Sequence, residues 1–218
     1  MNLFPLYLTI KVSITATIIV AVIGLCLSLL LAKKDFPGKN VLDVLIMQPL
    51  VLPPTVLGYY LLTLLGRASF LGRFLSENLG VELVFTWKGA VAAAVISALP
   101  LFVKPTRAAI EGVSREFEDA ARILGKKELQ VFRSITLPLA WRGIAAGTVM
   151  AFARATGEFG ATLMVAGNIP GLTRTLPLAI YDAVQMGDNH MANILVLIVT
   201  LFSFVVLYIA GVFTKHRF

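Results

Sequence analysis

Five long apolar tracts, at roughly residues 6–31, 41–65, 88–110, 142–166 and 191–213, alternate with short polar or charged connections. About twenty residues at 1.5 Å rise cross a hydrocarbon core of about 30 Å, so each tract is long enough for a spanning helix. The pattern predicts an all-α polytopic membrane protein with about five transmembrane helices. No connection has room for a second domain, so residues 1–218 read as one transmembrane unit. The first tract has neither a basic leader nor a small-residue cleavage site, and it reads as a retained helix.

Prolines and glycines modify this outline. Pro37-Gly38 in KKDFPGKN predicts a tight turn between neighbouring helices. The second tract carries Pro49, Pro53 and Pro54 in PLVLPPTVLGYYLL. Each proline removes a backbone donor and disfavours helix in the residue before it, so a bent or partly unwound helix is expected. Freed carbonyls at membrane depth need protein or a watery cavity, which would turn this helix toward the interior; a plain packing kink is the other reading. Residues 66–87 alternate apolar and polar groups below spanning length. They read as an amphipathic external segment on the membrane surface, with Phe85 and Trp87 at the interface. Residues 167–189 read as an ordered loop and a short helix.

Composition agrees: 58% of residues are hydrophobic and 14% charged, unlike an ordinary globular domain. The formal charge of +7 would suggest nucleic acid in a soluble chain, but its distribution gives another account. Lys33, Lys34 and Lys39 form one cluster. Lys104, Arg107, Arg115, Arg122, Lys126, Lys127, Arg133 and Arg142 form a second, and Lys215 and Arg217 a third. Five spans place these clusters on one side, which the positive-inside rule makes cytoplasmic, with the N-terminus outside and the C-terminus inside. Topology thus accounts for the charge without nucleic acid. Cys26 is the single cysteine, allows no intrachain disulfide, and reads as a packing residue. His190 and His216 fall near opposite faces, too scattered for a metal site or a Ser-His pair, so no catalytic residue and no metal ligand is expected.

One polar stretch, DAARILGKKELQVFRSITLP from Asp119 to Pro138, looks made for a water-soluble partner. Ser114 is placed to cap a short helix whose first turns carry Glu116, Glu118 and Asp119, where the helix dipole favours acids. Gly125 would end it, with Lys126 and Lys127 on the C-terminal side. Ala120 and Ala121 would leave a small, smooth surface, with Leu124 and Phe132 as candidate anchors. A second helix would run from Glu128 to Leu137, and Pro138 would mark the approach to the fourth span. A merely solvated basic loop is the bland alternative. In that fourth span Arg154 and Glu158 stand four apart, on one helix face. A charge near the bilayer centre costs about 2.5–3.5 kcal/mol, so the two are either a structural ion pair or pathway and gate groups.

The spacing of Ala120, Ala121, Gly125, Ile135, Leu137 and Pro138 resembles the EAA loop by which permeases of ABC importers hold their ATPase. Asp119 stands where that pattern usually has glutamate, with Glu118 just before it. No GxxxxGK[ST] phosphate loop occurs in the chain, so the resemblance implies that ATP and Mg are handled by a separate subunit and that this chain binds no cofactor. Three further segments, PLVLPPTVLGYYLL, FARATGEFGATLMVAGNIPG and TRTLPLAIY, resemble the molybdate permeases in the same order. Sulfate and thiosulfate permeases typically carry GEYGS where this chain has GEFGA at 157–161.

What the resemblance implies is a type I importer permease of a bacterial or archaeal cell (inner) membrane, carrying molybdate, with tungstate as a related cargo. A sulfate or thiosulfate permease is the alternative within the class, and a channel or structural membrane subunit without an ATPase the alternative outside it. The implied partners are a second permease copy in a homodimer, two cytoplasmic ABC ATPases, an external or periplasmic oxyanion-binding protein, and membrane lipid. Coupling would fall to Glu118, Asp119, Ala120, Ala121, Leu124, Gly125, Ile135, Leu137 and Pro138, within a loop of about 114–138. Pathway or gate candidates are Pro53, Pro54, Thr55, Arg154, Glu158, Phe159, Gly160 and Thr162. The hydroxyls of Ser97, Thr55, Thr156 and Thr162 would either line a weakly attractive conduit or bond to their own helices.

Overall fold

The computed structural model describes the backbone of residues 3–215, and the side chains of that range except Leu79 and residues 209–215. His216 and Arg217 lie outside the described residues. Helix α1 (Phe4–Lys33) starts with Pro5 in its first turn, where a missing N–H leaves no bond unmade. The Pro37-Gly38 turn follows as expected, with the Lys39 N–H on the Phe36 carbonyl at 3.2 Å and Asp35 accepting from Lys39 Nζ at 2.8 Å.

The second tract is broken more sharply than a kink. Helix α2 (Lys39–Met47) continues through a 3-10 turn at Gln48–Leu50, and α3 (Pro54–Leu65) leaves at a bend of 115°. Three prolines withdraw donors on either side of this corner, so no helix can carry across it. The two limbs still connect opposite ends of the bundle. Asp43 of α2 pairs with Arg107, and Leu57 and Leu61 of α3 pack with Ala93, fourteen residues earlier on the same neighbouring helix. That neighbour is α5 (Trp87–Glu111).

Between α3 and α5 lies α4 (Phe70–Leu79), capped by Ser69 Oγ on the Gly72 N–H at 2.8 Å and flanked by an Arg67–Glu82 ion pair. Phe70 and Phe74 stand exposed one turn apart, as an amphipathic surface segment requires. Trp87 opens α5 and receives Lys11 Nζ at 3.9 Å from its ring centre.

Helix α5 is the centre of the molecule. It packs against α1 and α8 (Leu137–Thr156) through one core that includes Val20, Leu31, Ala94, Ala98, Phe102, Val103, Ile144 and Ala151. Its other side meets α3 and α9 (Gly160–Ala166) through Ala93, Ala161 and Val165. Small residues set the α5–α8 distance. A Cβ added at Gly147 would sit 2.8 Å from the Phe102 carbonyl and 2.9 Å from Thr106 Oγ1, and one at Gly143 would overlap Ala109. Between spans in lipid, where neighbouring helices gain little from leaving the hydrocarbon, such close backbone approach is the main source of attraction.

The fourth tract differs from its expectation in register. One helix of 29 residues runs from Glu128 to Thr156, through α7 (Glu128–Val131), a π-helical turn (Phe132–Thr136) and α8. Pro138 therefore lies inside the span rather than before it. The π turn makes this possible: it shifts the bonding so that the Leu137 N–H reaches Phe132, and the missing proline donor falls just past the irregular turn. The helix then stops at Thr156, ten residues short of the expected end. Gly157 and Glu158 fold back onto Ala153 and Ala155, and α9 begins as a separate element.

A loop and α10 (Leu176–Gln185) lead to α11 (Asn189–Lys215). The Leu176 N–H at the start of α10 donates to Thr9 Oγ1 of α1 at 2.7 Å, which ties the loop after α9 to the first span. Among the described residues four helices are long and apolar enough to cross a membrane, and the bent α2–α3 pair makes a fifth when its two limbs are counted as one span. The flanks of α1 and α11 expose Ile14, Ile18, Val22, Leu197, Leu201 and Phe204, the surface a bilayer would cover. Cys26 is exposed on α1, not packed as the sequence suggested, because the buried stripe of that helix passes through Gly24 and Ser28 instead.

The Gly143–Gly147 seam predicts that Gly147→Leu destabilises the bundle by about 1–3 kcal/mol, since the backbone of Phe102 cannot yield to a branched side chain. Thermal unfolding in detergent, followed by size-exclusion profile, should show a lower midpoint for Gly147→Leu than for an exposed control such as Leu197→Ala.

Candidate functional site

The polar loop folds as a capped helix. Helix α6 (Arg115–Ile123) begins at Ser114, whose Oγ accepts from the Glu116 N–H at 3.3 Å, and has Glu116 and Glu118 in its first turn. Its end is a paired closure: the Gly125 N–H bonds Arg122 at 2.9 Å and the Lys126 N–H bonds Ala121 at 3.1 Å. Gly125 takes φ +80°, a left-handed conformation that a side chain would strain.

The two faces of α6 have different tasks. Glu118 and Ala121 turn inward and are 3% and 5% exposed. Phe117, Ala120, Ile123 and Leu124 turn outward; Phe117 is 59% exposed, and Ile123 and Leu124 are more than four-fifths exposed at 86% and 80%. The smooth surface expected of both alanines is thus supplied by Ala120 alone. Ile135 and Leu137 are partly buried against the main core, Phe132 is half-buried, and Pro138 is exposed.

Glu118 is the buried centre of a small network. Lys33 Nζ, at the last residue of α1, lies 2.9 Å from the carboxylate, and Thr136 Oγ1, at the end of the π turn, donates at 2.6 Å. Burial alone would raise its pKa, but the hydrogen bonds from Lys33 and Thr136 outweigh it and hold the group below the usual carboxylate range. Asp119 stays in solvent and accepts from Arg122 Nη1 at 2.6 Å, while Arg122 Nε donates to Glu128 at 2.7 Å. Those two acids push the guanidinium pKa up.

The pathway candidates are brought together by the two broken spans. A Cβ on Gly160 would lie 2.7 Å from Pro54 Cβ, so the corner at Pro53–Thr55 rests on the start of α9. Pro53, Pro54 and Thr55 are exposed beside it. Arg154 Nη2 reaches Glu158 Oε2 at 2.6 Å, and Glu158 Oε1 accepts the Ala161 N–H at 2.9 Å. The pair does not share a helix face: Glu158 lies past the end of α8, and its carboxylate joins α8 to the first turn of α9. Phe159 packs 5.2 Å, ring centre to ring centre, from Tyr181. Both rings border a cavity of about 390 Å³ also lined by Thr156, Gly157, Pro177 and Ser203. Thr162 is buried, Thr156 is spent on the Phe152 carbonyl at 2.9 Å, and Ser97 Oγ is buried without a hydrogen-bond partner.

Sequence reasoning passed over three features. Phe117 and Ile123 are the largest additions to the outward face; Phe117, Ala120 and Leu124 follow the i, i+3, i+7 spacing that would have revealed it. Lys33 was read as a topology charge. The loop between α9 and α10 is held by Asn168, Arg174 and Asp182: Arg174 Nε donates to Asn168 Oδ1 at 2.9 Å, Arg174 Nη1 lies 2.9 Å from Asp182, and Asn168 Nδ2 donates to Asp182 at 3.2 Å.

Residues 7–217 match the family model described as binding-protein-dependent transport system inner membrane component. The chain is 45% identical over 196 residues to the molybdenum transport system permease protein ModB of Escherichia coli (strain K12), covering 89% of this chain and 86% of that one. It is 38% identical to the putative molybdenum transport system permease protein YvgM of Bacillus subtilis (strain 168), over 94% and 90% of the two chains. Against the sulfate transport system permease protein CysT of Salmonella typhimurium the identity is 32%, over 92% and 72%. Two solved structures share the fold. An importer of the acidic polysaccharide alginate superposes with a TM-score of 0.78 at 14% identity, over 98% of this chain and 78% of that one. An amino acid ABC transporter gives 0.65 at 20%, over 96% and 90%.

Replacing Glu118 by Gln removes the charge that Lys33 and Thr136 hold, and should destabilise the protein by about 1–3 kcal/mol at neutral pH. Because the folded-state pKa is depressed, this stability is present above the ordinary value of 4.5 and is lost as pH falls through the lower folded value. Melting curves of the two proteins should therefore differ at pH 7 and converge on acidification below 4.5; a gap that persists would argue against the ionised pair.

Proposed function

We propose that this chain, which belongs to the family of binding-protein-dependent transport system inner membrane components, is the molybdate-conducting permease of an ABC importer. The observation that carries the cargo is the likeness to molybdenum permeases over nearly nine-tenths of the chain, at 45% identity against 32% for the sulfate permease. Tungstate, with the same tetrahedral dianion chemistry, would travel the same route. The protein is multi-pass; a bacterial or archaeal inner membrane is its proposed site, with α6 and the basic clusters in the cytoplasm and the N-terminus outside.

Two copies of the chain would enclose the pathway, with an external oxyanion-binding protein above and two ATPases below, which bind and hydrolyse ATP with Mg. What supports the ATPase contact is α6 itself: a helix capped at both ends whose apolar face, Phe117, Ala120, Ile123 and Leu124, has no cover among the described residues. Among the described residues the charges in the middle of the route, Arg154 and Glu158, answer each other. Such a conduit passes a dianion without trapping it. ATP-driven closure of the two ATPases would draw the α6 helices together and tilt the spans attached to them.

Leu124→Asp should abolish retention of the ATPase on co-purification and reduce uptake to background, while leaving the permease in the membrane. Uptake of labelled molybdate by the assembled complex should be displaced by tungstate and not by an equal concentration of sulfate; displacement by sulfate would move the assignment to a sulfate or thiosulfate permease.

A further inference from the structure

Glu118 lies on the buried face of α6, and its contacts are within the chain. Its three neighbours belong to different parts of the chain. Lys33 ends α1, 85 residues earlier, and Thr136 closes the π turn 18 residues later. Arg122, on α6 itself, stands farther off at 3.9 Å. The Glu118 side chain is 4% exposed and that of Lys33 30%. A carboxylate withdrawn from water to this degree is destabilising if its cation is deleted in place, and parting α6 from the end of α1 breaks its bonds to Lys33 and Thr136 together. Thr136 adds the second tether, to the foot of the long helix through α8. Helix α1 is in turn bound to α5, with Ser28 Oγ donating to the Val103 carbonyl at 3.3 Å.

We infer that Lys33 is a positioning residue for energy coupling: the Lys33–Glu118–Thr136 latch makes the end of α1, the coupling helix and the foot of α8 move as one body. This rests on the importer reading and extends it. Motion imposed on α6 by an ATPase then reaches the first span directly, and not only the span continuous with the loop. A merely topological lysine would bring charge to the cytoplasmic side and nothing more.

The test uses the full complex of permease, ATPase and external binding protein in proteoliposomes, with molybdate uptake and ATP hydrolysis measured on one preparation. Lys33→Met should still retain the ATPase, because the docking face is untouched, while molybdate moved per ATP falls about tenfold, within the usual range of coupling energies. Lys33→Arg should keep the wild-type ratio, and the exchange Lys33→Glu with Glu118→Lys should recover most of the loss. Spin labels at Lys34 and Arg115, on a Cys26→Ser background, should keep one distance with and without ATP in the otherwise wild-type protein and shift with nucleotide in Lys33→Met. The inference is overturned by a wild-type ratio in Lys33→Met, by a nucleotide-dependent distance with Lys33 in place, or by loss of the ATPase from Lys33→Met. A wild-type chain that retains no ATPase defeats the importer reading instead, before any variant is compared.

Discussion

Backbone amides in a hydrocarbon layer find no water, so a chain may interrupt a helix there only where protein supplies the missing partners. This chain interrupts two, at Val51–Pro53 and at Gly157–Phe159, and lays one break upon the other, with Pro54 against Gly160. The Glu158 carboxylate takes up the Ala161 N–H left open by the second break, and Arg154 neutralises the charge so introduced. The straight parts of the fold follow from the same constraint. Thr9, Thr17, Thr148, Thr156 and Thr200 each return their hydroxyl to a carbonyl of the preceding turn. An uninterrupted central helix, α5, is what both broken segments lean on.

Much of this was legible in the chain, where the signal was local. The first, third and fifth apolar tracts, the proline corner, the Ser114 cap and the Gly125 stop are each decided by local sequence, and the structure has them where they were expected. The register of the fourth span was not legible, because its start depends on a π turn that absorbs Pro138 and its end on a carboxylate bonding across a gap. Nor was the choice of which acid on α6 turns inward. Glu118 and Asp119 are neighbours of nearly equal chemistry, and only the presence of Lys33 and Thr136 on one side decides which is buried. Cys26 failed for the opposite reason: in a lipid-facing helix an apolar position carries no information about whether it is covered. The cargo lies furthest from local physics, and it is read from kinship over the whole chain.

Charge is distributed in three tiers that differ in how they are answered. At the basic end, Lys33, Arg107 and Arg122 are matched by Glu118, Asp43, Glu111, Asp119 and Glu128, mostly in contact with water. At the opposite end Arg174 and Asp182 are closed into a ring with Asn168. Between them stands Arg154 with Glu158, the one such pair at membrane depth among the described residues. Each of these groups is answered on site, and the net charge of +7 rests on basic residues outside these pairs.

The helix from Glu128 to Thr156 has a mechanical meaning that its residues do not announce. At 1.5 Å per residue its 29 residues measure about 43 Å, and it is bound along one side to α5 by the Gly143–Gly147 seam. It is therefore a stiff beam with an irregular turn near its foot. A tilt of about 5° imposed there displaces the far end by about 4 Å over that length, more than the width of a water molecule. Just past the far end Gly160 lies against Pro54 at the corner of the second span, so a slight rocking at the foot would be magnified at that corner.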